Sequence, residues 1–163
     1  MTGPTIGIAT KIAIVAVAQL ALVGVAVWPQ LSARALGDEY RMRVQPVDPI
    51  DPFRGAYVDL DYPDLQLDQG NPIAGDDDGG TVYVTLVPDG ELWKAGSYTR
   101  SRPEDGPYLT CDDRDWRIRC GIESWFLPQD EAAAMQEEVA DGAIAVVKID
   151  GRGHAALVSV EVD

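Results

Sequence analysis

The chain has 163 residues, with 13 basic and 27 acidic side chains and a formal net charge of −14. This length fits one domain plus an additional segment. All acidic residues lie from Asp38 onward, so the part after residue 28 carries 12 positive and 27 negative charges, a balance of −15. Such a surface repels polyanions, and we expect no nucleic-acid partner. Solubility or adaptation to salt explains the acidity, and recruitment of a basic partner or of cations is the alternative.

The N-terminal segment is strongly apolar. Residues 12–28 contain Gln19 as the only polar side chain, and residues 7–28 give a stretch of 22 residues. A helix that spans a bilayer needs ~20 residues. Lys11 near one end and Trp28 at the other suit the two headgroup regions. We therefore predict a transmembrane anchor at residues 7–28.

A cleaved signal peptide is the alternative interpretation of this segment. Residues 33–35, Ala-Arg-Ala, fit the small-x-small cleavage pattern, with cleavage after Ala35. The apolar run is longer than a usual signal core, and Trp28-Pro29 separates it from that site, which favours the uncleaved anchor. The charges flanking the run give no clear orientation, because a long C-terminal domain translocates largely regardless of them.

The rest of the chain is divided into a juxtamembrane linker at residues 29–38 and one β-rich domain at residues 39–163. Alternating apolar and polar side chains separated by turn residues predict about eight antiparallel strands. The predicted strands are 39–45, 56–62, 81–87, 91–100, 108–111, 116–120, 143–149 and 154–162. One short helix is predicted at residues 129–141. The expected fold is mainly β: a small antiparallel barrel or sandwich.

The first distinctive block comprises residues 46–62, and it begins with a proline-rich loop at residues 46–55. The loop contains Asp48, Asp51 and Arg54 together with three prolines. Because proline has no backbone N–H, the loop donates few backbone hydrogen bonds and is predicted to be rigid. The three charged side chains are candidates for binding a cation or a basic partner. Alternatively, the carboxylates accept hydrogen bonds from their own loop, and the arginine pairs with one of them.

The second distinctive block, residues 121–128, reads Gly-Ile-Glu-Ser-Trp-Phe-Leu-Pro. Glu123 lies among apolar side chains, and burial would raise its pKa, as a catalytic acid requires. The alternative is a structural ion pair of Glu123 with Arg54 or Arg117. A link to Arg54 would join the two blocks into one site.

These blocks resemble the signature of the GDYXXLXY family of predicted membrane-anchored bacterial proteins. Gly55, Tyr57, Leu60 and Tyr62 fit the signature itself, and Gly121 and Trp125 fit a second patch that follows an Arg102-Pro103 pair. Ala56 departs from the signature, which has aspartate there. The resemblance implies a short cytoplasmic N-terminus and an extracytoplasmic domain in the cell membrane of a bacterium. It also implies that the partner is a multi-pass membrane protein or another envelope component.

The sequence shows few candidates for redox or metal chemistry. Cys111 and Cys120 are the only cysteines, and they form either a disulfide or two free thiols. The acidic run at residues 76–78 lacks the spacing of a calcium loop. His154 is the only histidine, so no multi-histidine metal site is available. We predict no metal, no cofactor and no nucleophilic triad.

Two functions follow from these observations. The first is a membrane-anchored, non-enzymatic envelope domain that binds a partner through Asp48, Asp51, Arg54, Tyr57 and Glu123. The alternative is an exported hydrolase that uses Asp51 and Glu123 as paired carboxylates, which would have to lie about 5 to 9.5 Å apart in an open cleft.

Overall fold

The computed structural model describes residues 7–47, 57–66, 79–115, 117–126 and 142–162. Within these ranges the chain has one α-helix, one 3-10 helix and eight strands. The helix α1 comprises Ile8–Leu36, and the 3-10 helix comprises Pro63–Leu65. The strands are β1 (Asp38–Pro46), β2 (Tyr57–Asp61), β3 (Thr81–Asp89), β4 (Leu92–Thr99), β5 (Tyr108–Asp112), β6 (Ser124–Phe126), β7 (Ala143–Ile149) and β8 (Ala155–Val162).

Helix α1 is long and apolar enough to cross a membrane. It has 29 residues, and its most apolar 18-residue window has a mean hydropathy of 2.2 with no part of that window buried against the rest of the protein. The helix continues through Pro29 to Leu36, so most of the predicted linker at residues 29–38 is helical.

The strands form two antiparallel sheets. The larger has the order β6-β2-β1-β7-β8, and the smaller has the order β4-β3-β5. Strand β1 pairs with β7 from Asp38 opposite Ile149 to Val44 opposite Ala143. The alternation of β1 places Met42 and Val44 in the core and leaves Arg43 exposed, as expected for a strand with one buried face.

Both sheets contribute to one hydrophobic core. Fully buried side chains include Met42 and Val147 from the larger sheet and Val82, Val84 and Leu109 from the smaller sheet. The sheets are also bridged where the Thr110 amide donates to the Gly153 carbonyl at 2.9 Å. This arrangement is a partly closed, barrel-like fold, and it confirms the prediction of a mainly β architecture with an N-terminal apolar helix.

The predicted strands differ from the observed strands in two places. Residues 117–120 form only an isolated bridge, between Arg119 and Asp112, where a full strand was predicted. The turn ahead of them and the disulfide of Cys120 keep this segment too short for a ladder. Strand β6 was not predicted as a strand, because three residues are too few to show an alternation. The helix predicted at residues 129–141 lies outside the described residues.

Candidate functional site

The two distinctive blocks of the sequence are adjacent in the structure. Strand β2 pairs with β6, with Tyr57 opposite Phe126, Val58 opposite Trp125 and Asp59 opposite Ser124. The Leu60 amide continues this pairing by donating to the Glu123 carbonyl at 2.7 Å. Residues more than 60 positions apart in the chain therefore form one continuous surface element, which we call the β2–β6 ribbon (residues 57–62 and 121–126).

The signature residues Leu60 and Tyr62 belong to the core beneath this ribbon. Leu60 is fully buried, and Tyr62 is 2% exposed. The Tyr62 hydroxyl donates to the Ile122 carbonyl at 3.0 Å, which satisfies the one polar group of the buried ring. Burial, and secondarily the nearby Glu123 carboxylate, raises the pKa of Tyr62 far above its ordinary range. Tyr62 is thus a neutral structural side chain that connects the two blocks.

Glu123 holds the turn that precedes β6. Its carboxylate accepts hydrogen bonds from the backbone amides of Cys120 and Gly121, the latter at 3.0 Å. Gly121 has a φ of 79°, a left-handed conformation that glycine adopts without steric cost. This part of the second block is therefore a carboxylate-capped turn that requires its glycine.

The predicted pairing of Glu123 with Arg117 is replaced by a different ion pair. The Arg117 guanidinium donates to both carboxylate oxygens of Asp59, at 3.1 and 3.0 Å. The Arg117 side chain is 8% exposed and that of Asp59 is 34% exposed, so the pair lies at the edge of the core. No sequence signal marks Arg117 as buried, because a residue next to the buried Ile118 in an extended segment is expected to face the opposite side.

A disulfide closes the loop that leads into the second block. Cys111 and Cys120 are bonded, with their Cα atoms 4.1 Å apart. Two backbone hydrogen bonds between Asp112 and Arg119, at 2.7 and 2.8 Å, reinforce the closure. The disulfide holds the Glu123 turn against strand β5.

Three residues of the predicted contact surface, Asp48, Asp51 and Arg54, lie outside the described residues, as does the signature residue Gly55. Of Tyr57, the structure describes only the backbone pairing with Phe126. Trp125 is half-buried and packs against the core. The link between Glu123 and Arg54 stays a prediction, although the β2–β6 ribbon places the ends of both blocks side by side.

A second polar cluster, which the sequence did not reveal, joins α1 to the domain. The Ser32 hydroxyl lies 2.5 Å from an Asp150 carboxylate oxygen, and the same oxygen lies 3.0 Å from Nδ1 of His154. Burial alone would raise the pKa of Asp150, but hydrogen bonds from Ser32, the Arg152 amide and His154 outweigh it and lower that pKa below its ordinary value. We call this set, Ser32, Asp150 and His154, the junction cluster.

The junction cluster does not have the geometry of a nucleophilic triad. In a triad the serine and the acid bind opposite nitrogens of the imidazole. Here the Ser32 hydroxyl, at 3.5 Å, and the Asp150 carboxylate both face Nδ1 of His154. The serine also donates to the Pro29 carbonyl of its own helix at 3.1 Å. The cluster therefore docks the helix on the domain.

Further contacts fix the end of α1 against the sheet. Gln30 donates to the Gly121 carbonyl at 3.2 Å, and Arg34 donates to the Leu157 carbonyl at 3.1 Å. Ala33 is fully buried. A Cβ atom at Gly37 would lie 2.8 Å from the Ile149 backbone, so only glycine allows the helix end to approach β7 this closely. The last two turns of α1 and the domain thus form one rigid joint.

Beside this joint lies a cleft of about 290 Å³, between the loop at residues 102–108 and the start of β1. Arg102 donates to the Gly151 carbonyl at 2.8 Å and stacks over the Tyr108 ring at 5.7 Å, which fastens the loop to the β7–β8 turn. The lining includes the carboxylates of Asp38 and Glu104. Across the part of the chain that the structure describes, no group of three or more metal-ligating side chains is present.

Comparison with known proteins gives a family but no characterised relative. A family model described as "GDYXXLXY protein" matches residues 19–160, which include most of α1, the β2–β6 ribbon and the junction cluster. No curated protein and no solved structure matches the chain.

Proposed function

Because the chain belongs to the GDYXXLXY family, we propose that it is a membrane-anchored, non-enzymatic envelope domain that binds a multi-pass membrane protein. Helix α1 crosses the membrane, the N-terminus is cytoplasmic, and the β-domain is extracytoplasmic. The domain is an accessory subunit whose position is set by the joint at the end of α1.

The difference in burial between the apolar part of α1 and its last turns is the observation that supports this proposal. Its apolar part has no surface buried against the domain, whereas Ser32 and Ala33 in its last turns are buried by the domain. Residues 8–28 extend over about 31 Å, which matches the hydrocarbon thickness of a bilayer. A signal sequence removed after Ala35 would take with it the contacts of Ser32, Ala33 and Arg34, so the joint favours an uncleaved anchor.

The disulfide supports an extracytoplasmic domain. Disulfides form and persist in oxidising compartments such as the bacterial envelope, and are rare in the cytosol. The acidity of the domain favours a partner that presents basic groups. Glu123 is engaged by two backbone amides, which gives it a structural role, and no observation favours the hydrolase alternative.

The anchor and the partner are tested together on the full-length tagged chain in native membranes. We expect the chain to resist alkaline extraction, and to retain a stoichiometric multi-pass protein after purification in mild detergent. Combined replacement of Asp48, Asp51 and Arg54 by alanine should weaken this complex at least tenfold without unfolding the domain. Alanine at Asp89, Glu91 and Lys94 makes the same charge change at the β3–β4 turn and is the control.

Three outcomes would contradict the proposal. Release of the chain by alkali would remove the anchor, and a chain that purifies alone would remove the accessory role. Equal weakening by the two triple replacements would show that the proline-rich loop is not the contact surface.

A further inference from the structure

We propose that the face of α1 that contains Gln19 packs in the bilayer against a transmembrane helix of a different protein. That helix lies beneath the β-domain. The inference rests on the proposed function, because it requires α1 to span the membrane. It adds to that function the helix face, the central contact residue and the chemistry of the partner.

Gln19 is a polar side chain near the centre of the bilayer, where lipid offers no hydrogen-bonding partner. It is the only polar residue in residues 12–28, it is exposed on α1, and it is the twelfth of the 21 residues from Ile8 to Trp28. A carboxamide has hydrogen-bond donors and an acceptor that hydrocarbon cannot satisfy. Polar residues at this depth almost always face another helix rather than lipid. The Gln19 face is therefore expected to be covered.

The Gln19 face is one of the faces of α1 on which the domain is docked. Gln30 follows Gln19 by 11 residues, a rotation of only about 20° from the same direction, and Ala33 follows by 14 residues, about 40° away. Gln30 donates to the Gly121 carbonyl, and Ala33 is fully buried by the domain. Ser32, which follows Gln19 by 13 residues and is about 140° away, is also buried by the domain, so the β-domain covers the end of α1 above the Gln19 face as well as above the opposite face.

The opposite face has the character of a lipid-facing surface. Trp28 follows Gln19 by nine residues, a rotation of about 180°, and it is 53% exposed at the end of the apolar run. Tryptophan is typical of the boundary between a membrane and water. The two faces of α1 thus differ in chemistry although both are largely apolar.

A second copy of the chain does not fit on the Gln19 face. Packed helices have axes about 8–10 Å apart, whereas a domain of this length is about 35 Å across. In a parallel pair of copies each domain would lie over the partner's helix, and the two domains would occupy the same space. A helix of another protein, apolar and with a hydrogen-bonding side chain near the bilayer centre, fits beneath a single domain.

Photocrosslinking in native membranes tests this inference. A photoreactive residue is placed in the full chain at Val15, one turn before Gln19 on the same face, or at Val17, which is on the opposite face at nearly the same depth. We expect Val15 to give an adduct that maps to a transmembrane peptide of another protein, and Val17 to label lipid. Gln19→Leu should lower the Val15 adduct by about 3- to 18-fold, the range of measured interhelical hydrogen bonds, and Gln19→Asn should retain more of it.

Other results would overturn the inference. These are a Val15 adduct with a second copy of this chain, equal protein adducts at Val15 and Val17, no protein adduct at Val15, or an adduct that Gln19→Leu leaves unchanged. Alkaline extraction of the same membranes separates the two proposals. Release of the chain contradicts the proposed function and the inference together, whereas a retained chain with any of these results contradicts only the inference.

Discussion

Among the described residues of the family blocks, the carboxylates of Glu123 and Asp59 have structural partners. Glu123 satisfies two backbone amides of a turn, and Asp59 neutralises the nearly buried Arg117. A buried arginine without its carboxylate would be strongly destabilising. The Asp59–Arg117 pair was not predictable from the sequence, because the two residues are 58 positions apart and become neighbours only in the folded chain, whereas the amides bound by Glu123 lie two and three residues away in its own turn.

Gly121→Ala is expected to destabilise the protein by about 1–2 kcal/mol, because its φ of 79° places an alanine in the left-handed region. Gly151→Ala is the control. Gly151 has no positive φ and nothing within 4 Å of an added Cβ, so alanine there should be neutral or stabilising by about 0.4–1 kcal/mol. Urea unfolding of the detergent-solubilised chain measures both, and equal effects would show that the turn does not depend on glycine.

The elements differ in how far the sequence determined them. Helix α1 and the long strands β1, β7 and β8 were predictable, because their hydrophobic patterns are long and regular. Strand β6 was not, since its three residues pair through contacts with β2 and carry no pattern of their own. The docking of α1 was also hidden, because Ser32, Asp150 and His154 are ordinary polar residues until the β7–β8 turn meets the helix.

Removal of the disulfide by replacing Cys111 and Cys120 with alanine is expected to lower the free energy of unfolding by about 2–3 kcal/mol. The bond joins residues nine positions apart, and closing a loop of this length limits the entropy of the unfolded chain by about that amount. Urea unfolding with and without reductant measures the effect. A wild-type protein that reductant does not destabilise would contradict the prediction.

The junction cluster is expected to make the free energy of unfolding fall at low pH. The folded-state pKa of Asp150 lies below its ordinary value of 3.8. The ionised Asp150 carboxylate therefore contributes its full stabilisation above that value. This stabilisation is lost as the pH falls through the lower folded-state pKa. The melting temperature of the wild type should fall between about pH 5 and pH 2 more steeply than that of Asp150→Asn. Parallel pH profiles for the two proteins would show that the junction carboxylate contributes nothing.

At the scale of the whole molecule, the joint at the end of α1 connects two parts whose surfaces differ in polarity and charge. The helix is apolar and nearly uncharged, whereas the part after residue 28 carries a charge of −15. Such a domain is repelled by an anionic lipid surface, and the repulsion weakens with salt. The buried contacts of Ser32 and Ala33 oppose this repulsion and keep the domain beside the helix.

The continuity of α1 through Pro29 into the docked turns passes a change in the direction of the helix to the domain, and Pro29, which has no N–H for the helix ladder, is the point along this path where bending would absorb it. Transmembrane helices change their tilt when the bilayer becomes thinner or thicker. With a rigid joint, a change in tilt of about 10° moves the far side of a domain ~35 Å across by about 6 Å. If α1 spans a membrane as proposed, the thickness of the bilayer would in this way be converted into a displacement of the acidic domain.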